Sequence, residues 1–442
     1  MKYTGSGGVM HQILIIGGGA GGLELATRLG NRLGKRKKAK IVLADRYPVH
    51  VWKPLLHEVA AGSMDPFAHQ LEYAAQARWH GFEFQLGECI ALDRSAKTIT
   101  LAAAHDEEGI ELLPARTLKY DTLVIAIGST TNFFNVSGAQ QYAIALDTTA
   151  QAERFRRRLI ATCMRAHTHR SSRASGTAAR IQIAIVGGGA TGVELSAELR
   201  QTAQTLAAYG IHALEPNRDI GITVIESGPR ILSALPERVS TETAVLLKKL
   251  GIELSVGEHV TEVLPNTLRT ASGKTLSADL IVWAAGIQAP AILQQLDGLA
   301  TTPRGQLKVR MTLQTENDDD IFAFGDCASC PWPAQHSAVP PRAQAAHQQA
   351  SFLSRGLMRR LAGKSLPAFS YRDFGSLVSL GRFGAVGHLL GGNLWVEGIA
   401  ARWMYAFLYR MHIAALHGIP RMALDTLAHW LRRSTLPRVK LH

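Results

Sequence analysis

One motif occurs twice, and it constrains the chain more than anything else in it. Residues 13–29 read ILIIGGGAGGLELATRL and residues 183–199 read IAIVGGGATGVELSAEL, identical at ten of 17 aligned positions with an offset of 170. Each copy starts with a short unbroken apolar run, the pattern of a strand buried on both faces of a parallel sheet. Adjacent glycines follow, and then a stretch rich in Leu, Ala and Glu that suits a helix. Gly17, Gly19 and Gly22 in the first copy, and Gly187, Gly189 and Gly192 in the second, form G-x-G-x-x-G. Glycines at this spacing permit a tight turn, let the backbone approach a pyrophosphate, and let helix and strand pack closely. The helix that follows aims its first amides and positive dipole end at the phosphates. In each copy a second apolar strand ends at an acid, Asp45 after Ile41–Leu43 and Glu226 after Ile222–Ile225. Such a carboxylate can accept the hydroxyls of an adenosine ribose.

Apolar strands ending in a glycine turn recur downstream of each copy, TLVIAIGS at 122–129 and DLIVWAAGI at 279–287. The expected fold is therefore α/β, with two Rossmann-like dinucleotide-binding domains, the second inserted into the first. The expected division is 1–145 and 286–393 for a FAD-binding domain, 146–285 for an NADH-binding domain, and 394–442 for a C-terminal pair of membrane-association helices. Residues 88–121 alternate apolar and polar, which predicts a small antiparallel excursion. Arg165–Arg180, dominated by Ser, Arg, His, Gly and Ala, reads as a flexible surface connection.

A length of 442 residues accommodates two to four domains. With 19% charged and 46% hydrophobic residues, disorder is excluded as the main state. Four cysteines cannot build a disulfide scaffold, which points to a reducing compartment. No apolar run is long enough for a membrane span, and Ile13–Ile16 is too short for a signal peptide. The net charge of +13 calls for an anionic partner: nucleic acid, lipid headgroups or a phosphorylated cofactor. The basic runs Lys35–Lys40 and Arg154–Arg158 carry no nucleic-acid motif, so no nucleic-acid partner is expected.

The ligands follow from the strand ends. Asp326 closes the apolar run Ile321-Phe-Ala-Phe-Gly, where a carboxylate can bind a ribityl hydroxyl of FAD; taken alone it would read as a helix cap. Glu24, just past the first fingerprint, reads as a solvated helix residue. Glu226 favours a free 2′-hydroxyl, hence NADH over NADPH, with Arg230 the one residue against it. Glu194 opens the second helix, where it sits near the nicotinamide or is simply a first-turn acid favoured by the dipole. No Cys lies between Gly22 and Cys89, so no redox disulfide can relay electrons from the first domain. Cys327 and Cys330 form C-x-x-C without a second pair for zinc and read as small buried thiols, so no metal is expected.

Val339-Pro-Pro-Arg-Ala-Gln-Ala-Ala-His-Gln opens a helix on which Gln344 and Gln348 share a face at i, i+4. Their amides can donate to a quinone carbonyl or to the flavin edge without adding charge. Residues 395–442 hold seven Lys/Arg against two acids. Arg402 and Arg410 border Trp403, Tyr405, Phe407, Leu408 and Tyr409; Leu424, Leu427 and Leu431 form a second stripe beside Trp430, Arg432 and Arg433. Apolar faces with basic borders suit helices lying among anionic headgroups, while packing on the core or in a homodimer is the alternative use of the same pattern.

Together these motifs resemble the bacterial type II NADH dehydrogenases, the single-chain, non-proton-pumping NADH:quinone oxidoreductases. The resemblance is carried by IIGGGAGGLE, VWKPLLHEVAAG, AIGSTTNFF, IVGGGATGVELSAEL, VWAAGIQAP, FAFGDCASCP and VPPRAQAAHQ, and runs nearly end to end. It implies a two-dinucleotide-binding-domain, glutathione-reductase-like flavoprotein. It implies FAD on Gly17, Gly19, Gly22, Asp45, Gly128 and Asp326, with Lys53 and Pro54 beside the isoalloxazine. NADH would lie on Gly187, Gly189, Gly192, Glu226 and Gly286, with Glu194 near the nicotinamide and Gln344 and Gln348 bordering flavin and quinone. The implied reaction passes a hydride from NADH to flavin N5 and then two electrons to a membrane quinone, ubiquinone or menaquinone, at the cytoplasmic side of the inner membrane. A soluble flavin reductase for another carrier and a flavin-based redox sensor are the rival readings, and the residues name no proton donor to the quinone.

Overall fold

Each repeated apolar run is a central strand. The computed structural model describes residues 10–171, 180–209, 215–389 and 394–432. Seven helices matter below: α1 (Ala20–Leu29), α2 (Leu56–Ala61), α3 (Thr149–Ser171), α4 (Ala190–Ala208), α5 (Ala343–Leu361), α6 (Gly398–His417) and α7 (Ile419–Arg432). The chain divides into two compact units. One comprises Met1–Trp52, His69–Thr130 and Gln288–Arg372; the other comprises Lys53–Ala68, Thr131–Ile287 and Asp373–His442.

In the first unit a six-stranded sheet runs in the order Gln314–Thr315, Asp318–Ala323, Thr122–Ile125, Gln12–Ile16, Lys40–Asp45, Glu83–Leu86. All neighbours are parallel except the first pair. Ile13, Leu14 and Ile15 are completely buried, as a strand covered on both faces requires. The chain reverses direction across the sheet between Gln12–Ile16 and Thr122–Ile125, and ligands of such sheets bind at the carboxyl ends flanking that point. Gly17 and Gly128 stand there. Helix α1 packs against α5. The excursion expected at 88–121 is present as an antiparallel sheet of Cys89–Asp93, Thr98–Leu101 and Arg116–Lys119.

The second unit repeats the plan. Its parallel sheet runs Ile144–Ala145, Leu280–Trp283, Ile181–Val186, Ile220–Glu226, Ile252–Val256, with the fingerprint strand again central. Helix α2 packs between α3 and α4. An antiparallel sheet of Gly375–Ser379, Ala385–Leu389 and Leu394–Glu397 carries α6, and α7 packs on α6. Two features depart from the linear reading. Lys53–Ala68 and Asp373–Leu389 group with the second unit, because α2 and the Gly375–Ser379 strand both pack on α4. The expected loose connection at Arg165–Arg180 is helical as far as Ser171, and 172–179 lie outside the described residues.

Candidate active site

The two glycine loops are superimposable in their bonding, and the reason is steric. Gly17 and Gly187 have φ of +97° and +112°, a left-handed region that only glycine adopts freely. Each donates its amide to the strand beyond, Gly17 to Ala44 O and Gly187 to Ile225 O, both at 2.8 Å. A Cβ on Gly22 would lie 1.8 Å from Gly17 O, and one on Gly192 would lie 2.0 Å from Gly187 O. The third glycine of each fingerprint is thus the closest approach of helix to turn.

The acids at the ends of the second strands do the same work in both units. Asp45 Oδ2 accepts from Gly18 N at 2.6 Å and Oδ1 from Tyr47 N at 2.9 Å. Glu226 Oε2 accepts from Gly188 N at 2.7 Å and Oε1 from Gly228 N at 2.7 Å. Each carboxylate is therefore fixed beside its glycine turn, where a ribose would lie. Burial raises the Asp45 carboxyl above its ordinary range, with the Gly18 amide pulling the other way.

Both loops fit a dinucleotide. A Cβ on Gly19, Gly128 or Gly189 would meet nothing within 4 Å. No side chain caps the N-terminus of α1 or α4, and neither helix has an acid in its first turn. An uncapped helix start beside open space suits a pyrophosphate. Asp326 lies at the turn after Asp318–Ala323, and its Oδ2 accepts from Ser129 Oγ at 2.8 Å, beside Gly128. The first unit thus assembles Gly17, Gly19, Gly22, Asp45, Gly128 and Asp326 at one sheet end.

Several contributors are invisible to motif reading. Gly18 O accepts from Tyr73 Oη at 2.7 Å and from His50 Nδ1 at 3.0 Å. Tyr73 stacks on Phe84 and fills the space a Gly18 side chain would need. Glu24 is not the solvated residue expected: it is 1% exposed, pairs with Arg28 at 2.6 Å, and bonds His347 Nδ1. His347 in turn stacks on Trp52. Because α1 packs on α5, the Leu, Ala and Glu pattern of α1 hides its carboxylate inside.

The glutamines separate. Gln348 Nε2 donates to Arg372 O at 2.8 Å while its Oε1 accepts from Arg372 N at 3.1 Å, so its amide clamps a loop at both ends. Gln344 stands in the first turn of α5. Gln349, which the sequence did not single out, is buried and accepts from Gly325 N at 2.9 Å, next to Asp326. Cys327 and Cys330 are free and buried, and burial pushes both thiols up to about 12, so they are inert.

In the second unit, Lys53 pairs with Asp147 at 2.8 Å, which also accepts from Thr131 N. Pro54 is exposed in the same turn. Gly286, at φ +67°, accepts from Asn132 N at 3.3 Å and packs under the Phe134 ring, where a Cβ would clash. Arg230 donates to the carbonyls of Leu232, Ser233 and Leu235, which turns its charge away from the Glu226 turn. Glu194 is not a surface acid either: it is 6% exposed, accepts from Ser379 N at 2.9 Å, and lies 3.6 Å from His57 Nδ1.

Burial sets a pH dependence. The imidazoles of His50 and His57 are pushed down from 6.5 to about 4, and the Glu58 carboxyl is pushed up from 4.5 to about 8, by burial first and then by the charge of Glu198. Between pH 4 and 6.5 the folded histidines bind fewer protons than the unfolded ones, so their contribution to stability falls on acidification. Between pH 4.5 and 8 folded Glu58 holds a proton that the unfolded chain has lost, so its contribution falls as pH rises. The thermal midpoint should therefore peak near pH 6.5; E58Q should flatten the alkaline side and steepen the acid side between pH 4.5 and 6.5, and an unchanged alkaline slope in that variant would contradict the assignment.

On the tail, the helices are present and the stripe faces out. Leu424, Leu427 and Leu431 are 67%, 52% and 60% exposed, and Phe407, Met411 and Ile419 are also exposed. Arg410 turns inward and donates to Thr426 Oγ1 at 3.1 Å, joining α6 to α7 rather than bordering the apolar face. The side chains of Arg402, Trp403, Trp430 and Arg432, and all of Arg433, lie outside the described residues. Among the described residues no helix is long and apolar enough to cross a membrane.

Comparison with known proteins agrees with this geometry. Residues 11–350 match the family model described as pyridine nucleotide-disulphide oxidoreductase. The chain is 44% identical to a type II NADH:quinone oxidoreductase of Haemophilus influenzae, covering 98% of this chain and all of that one. It is 29% identical to demethylphylloquinone reductase NdbB of a Synechocystis strain, over 90% of this chain and 92% of the other. Its fold matches that of NDH2 from Plasmodium falciparum, solved in complex with NADH, with a TM-score of 0.81 and 19% identity over 98% of this chain and all of that one.

Proposed function

Because the chain belongs to the pyridine nucleotide-disulphide oxidoreductases and, among them, to the type II NADH:quinone oxidoreductases, we propose that it oxidises NADH at the membrane surface and reduces a membrane quinone without pumping protons. It is an NADH:quinone oxidoreductase with FAD as cofactor and NADH as substrate. The observation that carries the finer reading is the pair of matched glycine loops, each with an acid fixed to its middle glycine amide. Bound FAD supplies a two-electron carrier between nicotinamide and quinone.

The protein's contribution is positioning and electrostatics. In this reading Gly17, Gly19 and Gly22 hold the FAD pyrophosphate on α1, Asp45 takes its ribose, and Asp326 with Gly128 takes the ribityl side. Gly187, Gly189 and Gly192 hold the NADH pyrophosphate on α4, with Gly286 lining the same site and Glu194 near the nicotinamide. Lys53 and Pro54 lie beside the flavin ring. Gln344 borders flavin and quinone, whereas Gln348 has its amide engaged by Arg372 and serves as a clamp. The alternative of a soluble carrier as acceptor lacks a matching observation, while the outward leucines of α7 favour an acceptor dissolved in lipid.

The test is direct. Purified protein should be yellow, bleach on NADH, and recover its colour on a short-chain quinone; a reduced protein that quinones do not reoxidise would end the proposal. Glu226→Gln leaves one carbonyl oxygen where two carboxylate oxygens accept amides and a ribose. Loss of hydrogen bonds to a charged group costs about 1.5–3 kcal/mol, so the KM for NADH should rise roughly 10- to 100-fold. The KM for quinone should stay put. Equal rises in both would remove Glu226 from the ribose site.

A further inference from the structure

The residue between the first two glycines of each fingerprint is itself a glycine, and in both units it is pinned at both of its polar groups. Gly18 is buried, and its amide donates to Asp45 Oδ2 at 2.6 Å. Its carbonyl accepts twice, from Tyr73 Oη at 2.7 Å and from His50 Nδ1 at 3.0 Å, which occupies both lone pairs of the oxygen. Both donors are buried. Burial, and then the charge of Asp45, holds the Tyr73 phenol well above its ordinary range, so its hydroxyl keeps its proton. Burial pushes the His50 imidazole down to about 4, so at neutral pH an uncharged ring gives Gly18 O the hydrogen on Nδ1. The second unit pins its glycine by other means. Gly188 is buried, its amide donates to Glu226 Oε2 at 2.7 Å, and its carbonyl accepts from Leu232 N at 2.7 Å. Leu232 does so at φ +51°, a conformation that disfavours every residue but glycine and persists only where its surroundings hold it.

In a trans peptide the C=O and the N–H point opposite ways. Holding Gly18 O in the interior therefore turns the Gly19 N–H outward, to the exposed side where a Cβ on Gly19 would meet nothing within 4 Å. Gly189 stands in the same relation to Gly188. That orientation is not automatic. Glycine on both sides of the peptide lets it turn over, which would present a carbonyl oxygen, the wrong sign for a phosphate. Hydrogen bonds to the carbonyl also polarise the N–H at the other end of the same peptide and strengthen what it can donate. Resting on the function proposed above, we infer that Tyr73 and His50 are positioning residues for the FAD diphosphate: by holding Gly18 O they keep the Gly19 amide facing the phosphate oxygens, as Leu232 N does on Gly188 O for NADH. Both act through one peptide group rather than on the nucleotide directly. The NADH loop is set by backbone alone, whereas the FAD loop is set by two side chains. Only the FAD loop can therefore be loosened by removing a side-chain donor.

The experiment uses the holoprotein and needs no turnover. Tyr73→Phe keeps the ring that stacks on Phe84 and removes one oxygen. His50→Leu removes the other donor, and His50→Asn returns an N–H near the place of Nδ1. Flavin fluorescence released on dilution should show FAD held roughly 10-fold more weakly in Y73F and in H50L, and roughly 100-fold more weakly in the double variant. H50N should recover most of the loss seen in H50L. Phosphorus NMR should show the diphosphate lines of bound FAD in Y73F moved toward their positions in free FAD, with the visible flavin spectrum unchanged. A role in packing alone would neither move those lines nor be rescued by Asn. NADH should half-bleach the flavin-loaded variants at the wild-type concentration. The inference is overturned if Y73F and H50L hold FAD as the wild type does, if the phosphorus lines stay in place, or if NADH affinity falls as far as FAD affinity. Should Y73F not fold, H50L and H50N carry the same readouts. A wild type that holds no flavin would sink the functional reading itself, a result separate from any difference between the variants.

Discussion

A Gly22→Ala protein should purify colourless, whereas Gly192→Ala should stay yellow and lose its bleaching by low concentrations of NADH. Each new methyl group would sit about 2 Å from a backbone carbonyl, Gly17 O in one unit and Gly187 O in the other. Backbone cannot rotate away as a side chain can, so helix and turn must separate. Overpacking of this kind costs about 3 kcal/mol or more, which is roughly 100-fold or more in a binding constant. The loss falls on whichever dinucleotide that loop cradles. Gly19→Ala is the control: its Cβ meets nothing within 4 Å and its φ of −60° suits alanine. That variant should melt like the wild type yet hold FAD more weakly if, as proposed, the open space takes the pyrophosphate. Flavin content after gel filtration and an NADH titration of the bleaching separate all three outcomes. A yellow Gly22→Ala protein, or a colourless Gly192→Ala protein, would mean that the loops are assigned to the wrong ligands.

That experiment is possible because the glycine loops are legible in sequence. Gly17, Gly22, Gly187 and Gly192 are dictated by positive φ or by a carbonyl in contact, so local sterics alone selects them. Asp45 and Glu226 are legible for the same reason: each ends a strand whose neighbour begins a turn, and the register brings acid and glycine amide together. What could not be read depends on which elements meet. Glu24 looks like any solvated glutamate until α5 packs on α1 and brings His347 to it. His50 and Tyr73 carry no motif, yet both hold Gly18 O. The spacing of Gln344 and Gln348 showed a shared face, but not that Arg372 would engage one of the two amides. Lys53–Ala68 belongs with the second unit because α2 packs there, although the segment ends 122 residues before its partner helix α4 begins at 190 and carries no periodic signal of that partner.

The apolar stripe of α7 shows the same limit from the other side, and it yields the second large effect. Leu424, Leu427 and Leu431 recur at helical spacing, a pattern that serves a core as well as a membrane. Only the structure shows that Thr426 meets Arg410 of α6 while the three leucines are more than half exposed. Fully covering a leucine contributes about 1.5–3 kcal/mol. Three half-exposed leucines therefore leave roughly 3 kcal/mol unused in water, or about 100-fold in partitioning to lipid. Replacing all three with Asp should abolish flotation with liposomes containing anionic lipid, while turnover of a short-chain quinone in solution persists. The exposed Arg421 beside them should make wild-type flotation weaken with added salt, since a basic residue near anionic headgroups contributes about 1 kcal/mol. If wild type and variant float alike, and the variant differs only in sedimenting as a monomer where the wild type sediments as a dimer, then the stripe joins two copies of the chain.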